Sequence, residues 1–278
     1  MWKGALLQLS STDEPKENLE LINNMINTAA AKNVKFIALP ETANCISNSN
    51  LHKETVLQTE KEDITLSNLT KVAKKKSIYI LIGSLAIKQN KPKHKFLNRS
   101  FLINPSGSII AKYDKLHMFD AAISESEEHI ESASFVAGEN AKIISTAIGK
   151  FGLSICYDVR FPHLYRGLSQ RGAQLLTVPA AFTVPTGKAH WEILLRARAI
   201  ENGAFVIAPA QSGTHNFTGG GYRKTYGHSM VVDPWGNILV NAKHSTETIA
   251  YFTCDLSKVK SARSKLPSLT HDCKFSYE

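Results

Sequence analysis

Residues 151–163 read FGLSICYDVRFPH, and the fold depends on how that stretch is parsed. Its first five residues are short, apolar and bounded by glycine, which predicts a buried strand. Cys156 falls where the apolar run stops, and Tyr157, Asp158, Val159 and Arg160 follow at once. Phe161-Pro162 then opens an amphipathic segment, with Phe161, Leu164, Tyr165 and Leu168 at helical spacing and a proline suited to the first helical position. Cys156 is therefore expected on a sharp strand-to-helix turn at a sheet end. That resembles a nucleophile elbow, although the GxSxG spacing is absent. A cysteine so placed is more often buried and inert than reactive, so its chemistry depends on its company.

Upstream, residues 2–9 predict a first strand. Thr12 or Asp13 is placed to cap a helix with Pro15 in its first turn and Leu19, Ile22, Met25, Ile26 and Ala29 on its apolar face. Residues 34–39 form a compact apolar strand ending in Pro40-Glu41, so the start reads as a βαβ-type unit. A helix over 63–76 and a strand over 78–82 follow. Next comes a hairpin, 96–103 and 108–113, around the turn Asn104-Pro105-Ser106-Gly107. Residues 121–138 are polar, rich in Glu and Ser and without period, as in a loop that covers or lines a site.

Downstream, residues 141–147 pair with the 151–155 strand. A strand over 174–178, a helix over 186–201 and a strand over 204–209 come next. A hairpin over 226–232 and 238–240, a last strand over 250–254 and a polar tail from about 257 with a short helix complete the chain. NVKFIALPE (33–41) resembles AQLLTVPAA (173–181), a weak repeat that suggests two related halves. The class is α/β, with a mixed sheet or two sheets; the pattern leaves both a Rossmann-like sheet and a sandwich open. Neither GxGxxG after the first strand nor GxxxxGK[ST] is present, so a nucleotide site has no support.

At 278 residues, 43% hydrophobic and 21% charged, with no linker-like stretch, the chain is expected to form a single domain over 1–278. The four cysteines are scattered, without a CxxC pair or Cys/His cluster, so no metal is expected. MWKGALLQLS is too short for a signal peptide and no apolar run reaches membrane-span length. A cytoplasmic protein without membrane contact is the expectation. The net charge of +9 makes nucleic-acid binding the competing non-enzyme reading. Its densest runs, KKK at 74–76 and KPKHK at 91–95, are separate and lack alternating aromatics, which favours a solvated face and no nucleic-acid partner.

Glu41, Lys115 and Cys156 each lie just past an apolar strand or hairpin, where α/β folds collect their sites. A free thiol, with a pKa of about 8.5, is only a few per cent thiolate at neutral pH. A cation beside it stabilises the thiolate and a carboxylate accepts its proton, so the three residues together make chemical sense. Individually, Glu41 also reads as a surface acid and Lys115 as one solvated lysine among many.

ALPE (38–41), KYDKLHMFD (112–120), GLSICYDVRFPHL (152–164) and HWEILLRARAIEN (190–202) resemble the nitrilase superfamily of carbon–nitrogen hydrolases, in order and over nearly the whole chain. The resemblance implies a four-layer α-β-β-α sandwich, with sheets extended across a homodimer. It implies a Glu41, Lys115, Cys156 triad supported by Glu131, with an oxyanion held by Lys115 and the Tyr157 amide, and no cofactor. DVRFP (158–162), AHWE (189–192), RARAIEN (196–202), APAQSGTHN (208–216) and YGHSMVVDPWG (226–236) are most similar to the deaminated glutathione amidase branch. The omega-amidase branch, acting on 2-oxoglutaramate, is the alternative. Either implies a small amide bearing a carboxylate. Arg160, Lys188 and Arg198 are basic candidates for anchoring it, and Phe182, Thr186 and His190 lie in a loop expected to contact it. Ion pairing of those basic residues with Asp158, Glu192 or Glu201 is the competing structural role.

Overall fold

The structure, a computed structural model, describes residues 1–89, 94–124 and 127–278. Residues 91–93 of the basic run and Glu125 of the acidic stretch lie outside the described residues. The first half runs β1 (Trp2–Gln8), α1 (Pro15–Ala30), β2 (Phe36–Ala38), α2 (Asn50–Val56), α3 (Ile64–Lys76), β3 (Tyr79–Lys88), β4 (Phe96–Ile103) and β5 (Ile109–Asp114). A connecting stretch holds the hairpin β6 (Asp120–Ser124) and β7 (Glu127–Ile130), a 3-10 turn Glu131–Ala133 and β8 (Phe135–Val136). The second half begins with β9 (Lys142–Thr146), β10 (Gly149–Leu153), a 3-10 turn Cys156–Arg160, α4 (Pro162–Gln170) and β11 (Leu175–Thr177). A helical stretch follows as α5 (Val184–Thr186), a π-helical segment Gly187–Trp191 and α6 (Glu192–Asn202). Then come β12 (Phe205–Ala208), β13 (Ser212–Asn216), β14 (Tyr222–Tyr226), β15 (Met230–Val232), β16 (Ile238–Asn241), β17 (Thr248–Cys254) and α7 (Ser257–Lys265).

Two mixed sheets result. One is ordered β17-β1-β2-β3-β4-β5, with β8 beside β4; the other, read from its opposite edge, is β9-β10-β11-β12-β15-β16. Along both paths the pairings run antiparallel, parallel, parallel, antiparallel, antiparallel. The weak repeat in the sequence falls on β2 and β11, which hold equivalent central places.

Strand alternation builds the layers. Ala5, Leu7, Ile37, Ile80 and Ile82 point from the first sheet to Ile22 and Ile26 of α1 and Leu66 and Leu69 of α3. Leu6, Phe36, Ala38 and Leu81 point the other way into the core shared with Phe151 and Leu153. The Phe36 and Phe151 rings lie 5.4 Å apart between the sheets. Leu164, Tyr165 and Leu168 of α4 and Leu195 and Ala199 of α6 pack with the second sheet and complete the α-β-β-α order. Burying each such leucine or isoleucine contributes about 1.5–3 kcal/mol. Gly83 of β3 sits where the two strand-ending prolines meet: an added Cβ would come 2.5 Å from Pro179 Cβ and from Pro40 O.

Several expectations are corrected. Neither Thr12 nor Asp13 caps α1: Glu14 occupies the cap without a side-chain bond, and the Asp13 carboxylate accepts instead from Thr218 N at 2.8 Å and Thr218 Oγ1 at 3.0 Å. The stretch read as a loop at 121–138 contains β6, β7 and β8, whose cross-strand bonds need no apolar period. β3 runs on to Lys88, with Leu85, Ala86 and Ile87 buried. The tail docks through Val259 and Ala262 of α7, both buried.

Candidate active site

β2 is stopped by a residue that cannot donate. Leu39 N still bonds Leu81 O at 2.9 Å, Pro40 has no N–H, and the chain turns and buries Glu41. Glu41 Oε1 accepts from Asn98 Nδ2 of β4 at 2.9 Å and from Lys115 Nζ at 2.9 Å. Its Oε2 accepts from Ala181 N at 2.8 Å, three residues past Val178 in the second half. Lys115 follows β5 and extends that edge, its N bonding Asn98 O at 3.0 Å. Its Nζ also donates to Glu131 Oε1 at 3.0 Å and Oε2 at 2.8 Å. Glu131, at the start of its 3-10 turn, is held by Phe119 N at 2.7 Å and Asn98 Nδ2 at 3.1 Å.

The electrostatics follow from one buried ammonium between two carboxylates. Burial pushes the Glu41 carboxyl up, but the Lys115 charge and hydrogen bond outweigh it and hold Glu41 below the usual range. Burial pushes Lys115 down, and the charges of Glu131 and Glu41 overcome that, leaving it well above an ordinary lysine.

Cys156 opens its 3-10 turn with φ +49°, in the left-handed region, and its N bonds Pro179 O at 2.8 Å. Asp158 fixes the turn: Oδ2 accepts from Ile155 N at 2.8 Å and Tyr113 OH at 2.7 Å, and Oδ1 accepts from His117 N at 3.1 Å. Cys156 is 7% exposed. Burial first, then the Glu41 carboxylate, push its thiol well up, and Lys115 offsets this only in part. This favours a protonated thiol beside an ionised carboxylate, because the Lys115 charge is already engaged by two acids. The Tyr157 amide has no acceptor among the described residues. The arrangement can move the thiol proton to Glu41 and meet a developing oxyanion with an ammonium and a free amide.

Cys156 lies between two recesses. A narrow crevice is lined by Tyr157, Arg160, Phe182 and Thr186, so these four expected residues do converge. The Arg160 guanidinium lies 5.8 Å from the Tyr157 ring and 5.4 Å from that of Phe182. His190 does not join them: it is exposed on the helical stretch, its Nδ1 3.3 Å from Arg160 Nη1. Lys188 is exposed as well, and Arg198 is structural, bonding Val159 O at 2.9 Å and Glu201 Oε2 at 2.8 Å. Asp158 and Glu192 take other partners than those expected, Tyr113 and His117 for the first and Arg196 for the second.

The larger recess is a cavity of about 920 Å³ that reaches Glu41, Lys115, Glu131 and Cys156. Its polar lining also includes Asn98, Lys53 of α2 and Arg223 of β14, which the sequence alone did not assign to a site. Only Asn98 left a signal, a lone amide within the apolar strand FLNRSFLI. Among the described residues, one group has metal-ligand proximity, Asp13, Glu14 and His52, and it lies outside both recesses. No described helix is long and apolar enough to cross a membrane.

Comparison with known proteins places these observations. The carbon–nitrogen hydrolase family matches residues 3–264. A deaminated glutathione amidase of Synechocystis is 39% identical over 271 residues, covering 96% of both chains. The structure superposes on the nitrilase and fragile histidine triad fusion protein NitFhit of C. elegans with a TM-score of 0.88 and 36% identity. That match covers 98% of this chain and 65% of the longer one. Saccharomyces cerevisiae Nit3, described as a member of branch 10 of the nitrilase superfamily, matches with a TM-score of 0.82 and 32% identity, covering 96% of this chain and 94% of its own.

Proposed function

The chain belongs to the carbon–nitrogen hydrolase family, and from that premise we propose that it cleaves the amide of deaminated glutathione through a thioester on Cys156. It is a hydrolase acting on carbon–nitrogen bonds other than peptide bonds. Glu41 takes the thiol proton as Cys156 sulfur attacks the amide carbonyl. Lys115 Nζ and the Tyr157 amide hold the oxyanion, and donors of that kind contribute about 3–4 kcal/mol each. Protonated Glu41 gives its proton to the leaving amine and the C–N bond breaks. Glu41 then takes a proton from water, whose oxygen attacks the thioester, and the acid and the free thiol are released. The observation that carries this reading is Lys115 Nζ at 2.9 Å from a buried Glu41, with Cys156 lining the same cavity of ligand size. No step calls on a metal or cofactor.

The substrate reading is supported by relatives of that name at 34–39% identity across bacteria and eukaryotes. Its test is a comparison of kcat/KM. Deaminated glutathione and 2-oxoglutaramate share the oxo-acid half and differ in the leaving group, so contacts to the larger group can lower the barrier. One such charged hydrogen bond is worth about 1.5–3 kcal/mol, and we expect at least about a tenfold preference for deaminated glutathione. Equal rates or the reverse preference would make the protein an omega-amidase. The same reading includes a single domain, a cytoplasmic location and a homodimer. The last is supported by Ile193 (69% exposed) and Ile200 (51%) on α6 and Trp235 (54%) in the β15–β16 turn.

A further inference from the structure

We propose that Arg223 and Lys53 form a carboxylate clamp inside the larger cavity and set the enzyme's preference for acid-bearing amides. This rests on the reading above that the substrate is a carboxylate-bearing amide. Neither residue belongs to the Glu41, Lys115, Cys156 set, and neither was reached from the sequence.

The cavity wall carries an imbalance of charge. Lys53 is 5% exposed, yet among the described residues its Nζ meets only Ser134 Oγ at 3.2 Å and the rings of Phe96 and Phe135, 5.5 Å and 5.2 Å to their centroids. Arg223 Nη2 donates to Ala181 O at 2.6 Å, while its Nε is buried without an acceptor. Among the described residues neither cation has a carboxylate partner within 4 Å. Two acids that line the same cavity, Glu41 and Glu131, are already bound by Lys115. A buried cation is ordinarily paired, and leaving a guanidinium N–H unmet is unfavourable. Burial, with the Arg223 charge adding to it, lowers the Lys53 pKa to about 8, as expected where a counter-ion is missing.

Both residues line the cavity that reaches Cys156 and Glu41. A substrate carboxylate placed there would supply the counter-charge that the Arg223 guanidinium and the Lys53 ammonium lack. Arg223 also grips the carbonyl of Ala181, whose N–H holds Glu41 Oε2, so occupation of the clamp bears on the residue beside the base. A guanidinium with a fixed fork suits a carboxylate better than a point charge does, which separates Arg223 from a lysine in its place.

The test uses Cys156→Ala protein, which cannot turn over, and calorimetric titration with two probes. They are 2-oxoglutarate for the acid of the acyl half and cysteinylglycine for that of the leaving half. The expected result is that one probe binds, and that Arg223→Gln and Lys53→Met each weaken it by at least about tenfold, with Arg223→Lys retaining more affinity than Arg223→Gln. The probe affected says which half of the substrate the clamp holds. If neither probe binds, or if either neutral substitution leaves both affinities unchanged, the clamp is overturned. Because the readout is binding and not turnover, the substrate reading fails separately: an enzyme inert on deaminated glutathione that still shows this pattern keeps its clamp.

Discussion

At the residue scale, the reading makes Glu41 a base working on a thiol, not a partner of a preformed thiolate. Glu41→Gln should therefore retain less than about a tenth of kcat/KM, a loss above roughly 1.4 kcal/mol, and combining it with Cys156→Ala should cost no more than Cys156→Ala alone. Steady-state rates with melting curves on the same proteins check both statements. The pH profile follows from directions already given. Glu41 is held low by Lys115, so it stays ionised as pH falls, and the acid limb should lie below the usual carboxylate range. Lys53, set by burial and by the charges of Cys45, Glu131 and Arg223, loses its proton as pH rises through about 8. For an acid-bearing amide, kcat/KM should then fall above about pH 8, and Lys53→Met should remove that limb. Glu41, Lys115 and Cys156 were legible because each stands where an apolar run is cut off, by a proline or by a polar turn. Lys53 and Arg223 were not, since their meaning lies in the absence of a buried counter-charge, which only three dimensions reveal.

At the element scale, what could be read was what is asymmetric. α1, α3 and α4 each bury one face, and their periodicity gave them away; the central strands are short apolar runs between breakers. The hairpins β6–β7 and β13–β14 are held by cross-strand bonds between largely polar residues, and α2 buries only Lys53, so no periodic signal marks any of them. One element ending offers a clean test. α3 starts on Asp63, whose Oδ1 accepts from Leu66 N at 2.7 Å, and ends on Ser77 with φ 54°. An exposed serine held left-handed is strained where glycine is not. Ser77→Gly should stabilise the protein by about 0.5–1 kcal/mol and raise the melting temperature by roughly 1–3 °C, without altering kcat/KM. A drop in melting temperature would count against the strain argument.

At the scale of the whole molecule, Ile193 and Ile200 are seven residues apart on one side of α6, and Ile200 packs beside Gly236 next to Trp235. Such a stripe is covered in the proposed dimer. Light scattering should return twice the 30.6 kDa chain mass, and the pair Ile200→Glu with Trp235→Ser should reduce it to a single chain mass. The two halves share a strand order, and the site lies on the seam between them. Glu41, Asn98, Lys115 and Glu131 precede residue 137; Cys156, Ala181 and Arg223 follow residue 141. The second half also sends β17 back to pair with β1 along seven residues. A break in the backbone between 137 and 141 would therefore leave the proposed base, Glu41, on one fragment and the proposed nucleophile, Cys156, on the other, while leaving each with an unburied face and one with a strap to hold the other. Such a chain is already laid out as a split enzyme, in which turnover signals that two separate polypeptides have found each other.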